Sequence, residues 1–160
     1  MKDRYLTAVS FTETIYDLIG DEIKEVDYEC EENYKILASW YFMGVDFKIV
    51  QYKKWVPCAY IKIPEHCREL RRVIISEWYD YVPHNTVHWW FTFGKLLAEW
   101  EREWLWEWLW LGWDYWHCDD YADYLKNVSF VKKLKRRTTK EILIEVIEQI
   151  ITFYDEGVLY

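Results

Sequence analysis

The chain has few of the residues and spacings on which most enzyme sites depend. Its five glycines stand singly among 160 residues, so it has no glycine-rich loop of the kind that holds a phosphate group. It has no CxxC, HExxH or GxSxG spacing, and therefore no signature of a zinc site or a serine hydrolase. We expect a non-enzymatic protein that needs no cofactor and no metal.

Cysteine is scarce as well, and long apolar runs are absent. The four cysteines are Cys30, Cys58, Cys67 and Cys118, at irregular intervals. Charged residues interrupt the opening of the chain, and no run reaches the roughly 20 apolar residues that a membrane-spanning helix needs. These absences predict a soluble, intracellular (cytoplasmic) protein with reduced thiols and no membrane contact.

Tryptophan, by contrast, is abundant and concentrated. Nine of the twelve lie between residues 88 and 118: Trp89, Trp90, Trp100, Trp104, Trp106, Trp108, Trp110, Trp113 and Trp116. At roughly 150–250 Å² each, they carry on the order of 1,400–2,200 Å² of apolar surface. The largest exposed apolar patch on a typical monomer is only about 300–600 Å². This surface must therefore be covered by the rest of the chain or by a partner.

Two periodicities compete in this segment. Strict alternation of tryptophan would suit a strand, whereas Trp100, Trp104 and Trp108 recur at every fourth residue as on a helix. Residues 95–111 include no proline or glycine, and Gly112 would end a helix. The wider window therefore predicts a central Trp-rich helix that is apolar on almost all sides from Trp104 onward.

Such a helix is expected in the core, at a partner interface or at a self-association surface. For a partner interface, Trp106, Trp110 and Trp113 are the expected exposed anchors, because tryptophan dominates binding hot spots. Residues 89–120 hold two cations and seven anions, which disfavours base stacking and membrane contact. Direct nucleic-acid binding is therefore not expected.

The net charge of −8 is concentrated near the start of the chain. Residues 1–32 hold three cations and ten anions, a local balance of −7. Within them, residues 23–31 alternate as in a half-buried strand, which would place a row of carboxylates on one face. The row consists of Glu25, Asp27, Glu29 and Glu31. It is typical either of a solvated strand or of a surface that binds a basic protein.

The remaining patterns predict an α+β fold in a single domain, 1–160. Strand-like runs at 34–42, 47–55 and 59–63 are joined by short connections. Short connections favour antiparallel neighbours, so we expect a small antiparallel meander in the N-terminal half.

Helices are expected around and after the meander. One would run from an N-cap at Thr12 to Gly20, and another would begin at Pro64. On the second, apolar residues recur at spacings of three to four through to Val82, as on one helix face: Cys67, Leu70, Ile74, Trp78 and Tyr81. The clearest is an amphipathic C-terminal helix that begins with a capping box at Thr138 and Glu141 and ends at Gly157.

Together these patterns predict an acidic protein that binds another protein and occludes its surface. By analogy with small acidic proteins of this kind, a virus- or plasmid-type inhibitor of a nucleic-acid-handling protein is the expected class. The alternative is a ligand-binding or metal-dependent hydrolytic domain with a Trp-lined pocket, in which the cluster Asp119, Asp120 and His117 would supply charge.

Overall fold

A five-stranded antiparallel sheet with helices on one face forms the described part of the molecule. The computed structural model describes residues 3–26, 34–52, 57–83, 91, 93–98, 107–115 and 137–159, with the backbone alone at 93, 95–98 and 107. The helices in these ranges are α1 (Asp3–Ile19), α2 (Arg68–Ile75) and α3 (Thr139–Asp155). The strands are β1 (Lys35–Phe42), β2 (Val45–Gln51), β3 (Pro57–Lys62), β4 (Phe93–Ala98) and β5 (Glu107–Asp114).

The strand order across the sheet is β1-β2-β3-β5-β4. The predicted antiparallel meander is confirmed, since β1 pairs with β2 and β2 with β3. Met43 and Gly44 join the first pair with φ angles of 49° and 77°, the left-handed conformation that two-residue hairpin turns require. β5 then pairs with β3 on one side and β4 on the other, so it is an interior strand.

Alternating side chains divide the sheet into two faces. The inner face is built from Phe47, Ile49, Ile61, Leu109 and Leu111, each at most 1% exposed. α3 covers this face through contacts with β1, β2 and β3, and α1 packs on α3. α2 contacts β4 at the other end of the sheet. None of the helices that the structure describes is long and apolar enough to cross a membrane.

The C-terminal helix follows its predicted pattern closely. The Thr138 side chain accepts a hydrogen bond from the backbone N–H of Glu141 at 3.1 Å, which caps the first turn. Apolar residues at three- and four-residue spacing are fully buried: Ile142, Leu143, Val146, Ile147 and Ile150. Gly157 ends the helix at φ 70°. The amphipathic C-terminal helix is therefore confirmed.

The central helix predicted over 95–111 is wrong wherever the structure describes that segment. Phe93–Ala98 and Glu107–Asp114 are strands, and residues 99–106 lie outside the described ranges. The physical reason is that an interior strand between two neighbours buries both of its faces. The sequence of such a strand is therefore apolar at nearly every position, as is the sequence of a fully buried helix. Long-range pairing with β3 and β4 outweighs the local helix propensity of the window.

Gly112 shows how closely β5 is packed in this sheet. A Cβ atom there would lie 2.5 Å from Cδ1 of Tyr60 and 2.8 Å from the carbonyl oxygen of Ala59. The Tyr60 ring, on the neighbouring strand, occupies the space that any side chain would need. The glycine predicted as a helix end is therefore required by close approach within a strand.

Two further helix boundaries are also corrected. α1 begins at Asp3, and Thr12 lies fully buried in its middle rather than at its N-cap. Its extra turns pack on the end of α3, where Arg4 Nε lies 2.6 Å from Asp155 Oδ2. α2 begins at Arg68 rather than at Pro64, because residues 64–67 form a turn closed by a hydrogen bond from Cys67 N–H to the Pro64 carbonyl.

On the outer face of the sheet, two lysines lie over the indole rings of β5. Lys62 Nζ is 3.7 Å from the centre of the Trp108 ring, and Lys48 Nζ is 4.5 Å from that of Trp110. Lys62 also pairs with Asp46 at 3.6 Å. The lysine stems cover apolar surface, and their ammonium groups gain attraction from the rings. Part of the indole area is thus covered by this chain itself.

A buried hydroxyl joins β5 to α3. Tyr115, immediately after β5, accepts a hydrogen bond from Trp113 Nε1 at 3.1 Å and donates one to Glu145 Oε2 at 2.5 Å. Arg137 lies 3.5 Å from the other oxygen of Glu145. Burial, followed by the Glu145 charge, raises the pKa of Tyr115 well above its usual value, so the hydroxyl remains a donor.

We expect Tyr115→Phe to destabilise the protein by about 1–3 kcal/mol, because Trp113 Nε1 and a Glu145 oxygen both lose their partner. Urea unfolding followed by circular dichroism measures the loss. Tyr41→Phe is the matched control, since Tyr41 is 55% exposed and should tolerate the change. Equal stability of the two variants would contradict the assigned hydrogen bonds.

A second expectation concerns alkaline pH. Burial raises the pKa of Cys58 from 9.0 to about 12, and it also raises the pKa of neighbouring Tyr60. Below pH 9 the Cys58 thiol keeps its proton in both folded and unfolded chains, so it contributes no pH dependence. Between pH 9 and 12 only the unfolded chain loses that proton, so stability should fall as pH rises. Urea unfolding at increasing pH should show a flatter decline for Cys58→Ala, and parallel declines would contradict this account.

Candidate interaction surface

The structure places the predicted tryptophan anchors in the interior where it describes them. Trp110 is 5% exposed and Trp113 is 1% exposed, and the Trp113 ring packs edge-on against Phe91. Neither is the exposed anchor that the sequence suggested, because β5 is an interior strand rather than a helix face. Trp106 lies outside the described residues.

Glu25 is exposed, but it is engaged within the chain. Its carboxylate accepts hydrogen bonds from the Tyr16 hydroxyl at 3.1 Å and from the backbone N–H of Thr139 at 3.3 Å. The second bond places a negative charge at the N-terminus of α3, which favours it. Burial and then the Glu25 charge raise the pKa of Tyr16, which keeps its proton for this bond.

The rest of the predicted acidic row is not described. Asp27, Glu29 and Glu31 lie outside the described residues, and their role stays a prediction. The strand predicted over 23–31 is wrong for its first part, because residues 23–26 have no regular secondary structure. Hydrogen bonds of Lys24 to Leu37 and Thr139 hold this segment between β1 and α3 instead.

The most exposed aromatic surface that the structure describes lies at the C-terminal end of α2 and in the residues that follow it. Ile75 is 54% exposed, Trp78 is 52% exposed and Tyr81 is 76% exposed. The Trp78 and Tyr81 rings meet edge to face with their centres 6.3 Å apart. Together with the carboxylates of Glu77 and Asp80, we call these residues the aromatic corner. The exposed parts of these large side chains gain nothing from burial in this chain, so a binding role is the natural one to test.

Backbone hydrogen bonds at the end of α2 set the direction of the aromatic corner. The N–H of Glu77 donates to the Ile74 carbonyl and that of Trp78 to the Val73 carbonyl, both at 3.0 Å. This paired pattern is the Schellman motif, which needs a left-handed residue after the C-cap. Glu77 takes that conformation at φ 59°. The chain leaves the helix axis there, so Trp78 and Tyr81 do not continue the buried stripe of α2.

A cation already lies beside the Trp78 ring. The Arg72 guanidinium carbon is 6.0 Å from the centre of that ring. Its position is fixed by Glu69, whose carboxylate oxygen Oε2 lies 2.9 Å from one terminal nitrogen and 3.3 Å from Nε of Arg72. A guanidinium that contacts a ring and a carboxylate that orients it therefore lie on α2, next to the aromatic corner.

Sequence reasoning missed the aromatic corner because helical spacing placed Trp78 and Tyr81 on the apolar face of a continuing helix. A glycine after Ser76 would have marked the helix end, but the chain has Glu77 at that position. The one available signal was the polar run of Ser76 and Glu77 after Ile75, which interrupts the apolar stripe.

Other concave or chemical sites are modest among the described residues. One tryptophan, Trp108, lines a groove of about 330 Å³ together with Lys62, Asp46 and Glu65. Within the described ranges, no three His, Cys, Asp or Glu side chains are grouped so as to hold a metal ion. The predicted cluster Asp119, Asp120 and His117 lies outside those ranges.

Comparison with protein-family models, with curated proteins and with solved structures gave no match to this chain.

The left-handed Glu77 gives a direct test of the geometry of the aromatic corner. We expect Glu77→Gly to stabilise the protein by about 0.5–1 kcal/mol, because glycine adopts positive φ without steric cost and loses only part of this gain to entropy. Ser76→Gly is the matched control. Its φ is −78°, so the same change there should destabilise. Urea unfolding of both variants measures the difference, and a destabilised Glu77→Gly would contradict the assigned conformation.

Proposed function

We propose that this chain is a non-enzymatic protein-binding module that acts by covering a basic surface of another protein. The aromatic corner is the observation that most supports this proposal. Trp and Tyr dominate binding hot spots because they bury a large area at low cost in conformational entropy. Trp78 and Tyr81 are both more than half exposed and lie in contact with each other.

The charge of the chain supports a basic partner. A net charge of −8 steers encounters with cationic surfaces and opposes contact with nucleic acid or anionic membranes. The acidic row of Glu25, Asp27, Glu29 and Glu31 belongs to the N-terminal segment that carries most of this excess. We assign the row to steering and orientation. A protein that handles nucleic acid presents a basic surface of the required kind, and covering it would inhibit that protein.

The anchors differ from those that the sequence suggested. Trp110 and Trp113 stabilise the sheet, and we assign anchoring to Trp78 and Tyr81 instead. Trp106 stays a predicted anchor. Self-association through a helical tryptophan face is not proposed again, because the described parts of that segment are strands.

Capture from lysate tests the proposal. With the immobilised chain as bait, one protein of basic surface should be retained and identified by mass spectrometry. The double change Trp78→Ala and Tyr81→Ala should lower its retention by about tenfold or more, since each hot-spot truncation costs at least about 2 kcal/mol.

Two further variants sharpen this test. Tyr5→Ala with Leu6→Ala is the matched control, because both side chains are exposed on α1 and the change should leave retention intact. Charge reversal of Asp27, Glu29 and Glu31 to lysine should slow association, with Glu25 left unchanged because it bonds Tyr16 and the first turn of α3. Retention that is equal for the aromatic-corner variant and the control would remove Trp78 and Tyr81 as anchors.

A further inference from the structure

We infer that the aromatic corner recognises an arginine-bearing segment of the partner, an inference that rests on the proposed function. The corner combines two exposed rings with two carboxylates in a stretch of seven residues, 75–81. Rings attract a cation through their faces, and carboxylates attract it through charge and hydrogen bonds. A guanidinium satisfies both at once because it is planar, always charged and carries a fork of donors.

The corner lacks any cation of its own within that stretch. Residues 75–81 hold Glu77 and Asp80 and no lysine or arginine, a local charge of −2. Both carboxylates are exposed, and neither forms a salt bridge with another residue that the structure describes. Their charge is thus available to a ligand. It complements a basic segment and repels a phosphate backbone.

Arg72 shows that the local geometry accepts a guanidinium beside an indole. It sits 6.0 Å from the Trp78 ring centre and is held by Glu69, so a ring and a carboxylate already share one arginine. Tyr81, at 76% exposed, offers a second ring in the same short stretch as Glu77 and Asp80. A partner arginine between the Tyr81 ring and one of these carboxylates would repeat the arrangement that Arg72 has with Trp78 and Glu69.

The identity of residue 77 adds an independent argument. α3 ends in the same hydrogen-bond motif as α2, with Gly157 donating to Tyr154 and Val158 donating to Phe153 at 3.0 Å. Gly157 adopts φ 70° without strain, whereas Glu77 adopts φ 59° with a side chain that disfavours it. The chain therefore has a carboxylate at a position where glycine would adopt the same φ without strain. A strained residue at an exposed site motivates the hypothesis that its side chain binds something.

The test uses three short fluorescent peptides in anisotropy titrations with the full chain. One alternates arginine with glycine, one replaces arginine with lysine, and one replaces it with citrulline, which keeps the shape and removes the charge. The arginine peptide should bind, with a salt-dependent affinity. The lysine peptide should bind several-fold more weakly, and the citrulline peptide should bind at least about tenfold more weakly.

Variants then locate the site. Trp78→Ala with Tyr81→Ala, and separately Glu77→Gln with Asp80→Asn, should each weaken binding of the arginine peptide by about tenfold. The second pair preserves side-chain size, so it reports on charge even if the first pair perturbs the fold. Asp17→Asn with Asp21→Asn removes the same charge from exposed positions elsewhere and should have little effect.

Several outcomes would overturn the inference. Equal weakening by the Asp17 and Asp21 pair would make the attraction a general effect of net charge. Equal binding of the lysine or citrulline peptide would remove the guanidinium specificity. A dimer in light scattering that dissociates on Trp78→Ala with Tyr81→Ala would make a second copy of this chain the occupant.

The two experiments distinguish failure of this inference from failure of the proposed function. If capture of a partner depends on Trp78 and Tyr81 but no arginine peptide binds, the binding role stands and its specificity is wrong. If the peptide binds at the aromatic corner but partner capture is unchanged in the variants, the occlusion proposal is wrong.

Discussion

The packing of β5 between β3 and β4 is the constraint on which the rest of the structure depends. β5 carries Trp108, Trp110 and Trp113 on its two faces, so both faces must be covered. An exposed apolar patch as large as three indole rings is unfavourable in water. The inner face is covered by α3, and α3 is in turn covered by α1. The outer face has lysine stems over its indoles, with Lys48 and Lys62 as the described cases.

Gly112 permits this arrangement because Tyr60 fills the volume beside it. The hydroxyl of Tyr115 then ties the end of β5 to Glu145 on α3, so the sheet and its covering helix form one unit.

Charged side chains in this chain stabilise the fold and also set the acidity of its surface. Glu25 illustrates the overlap, because one carboxylate bonds both Tyr16 and the first N–H of α3 while it adds to the acidity of the N-terminal segment. The α3 N-terminus also has Arg137 near Glu141 and Glu145, at 3.9 and 3.5 Å. By contrast, the carboxylates of the aromatic corner have no such partners among the described residues. Charged side chains near α3 form hydrogen bonds and ion pairs with other residues, whereas the carboxylates of Glu77 and Asp80 face solvent.

Prediction from sequence succeeded where local signals and tertiary packing agree. The cap at Thr138, the apolar stripe and the terminal Gly157 all favour the same helix, and α3 has it. The short connection between the runs 34–42 and 47–55 favoured antiparallel neighbours, and β1 and β2 form a hairpin. Prediction failed where local signals and tertiary packing conflict. Helix propensity around 95–111 is local, whereas the pairing of β5 with β3 links residues about fifty positions apart and leaves no local mark. The aromatic corner was missed for a related reason. Glu77 ends α2 in a conformation that usually identifies glycine, so the sequence predicted Trp78 and Tyr81 on the apolar face of a longer helix.

The contrast between Glu77 and Gly157 also has a genetic consequence. Glutamate and glycine codons differ by a single base, so this chain is one substitution away from relieving the left-handed strain at the end of α2. That change would remove the strain, so stability alone does not favour a charged residue there. An acidic side chain at residue 77 across homologues would therefore indicate selection on this surface. Its replacement by glycine would date the loss of that selection, even in sequences whose core has hardly changed.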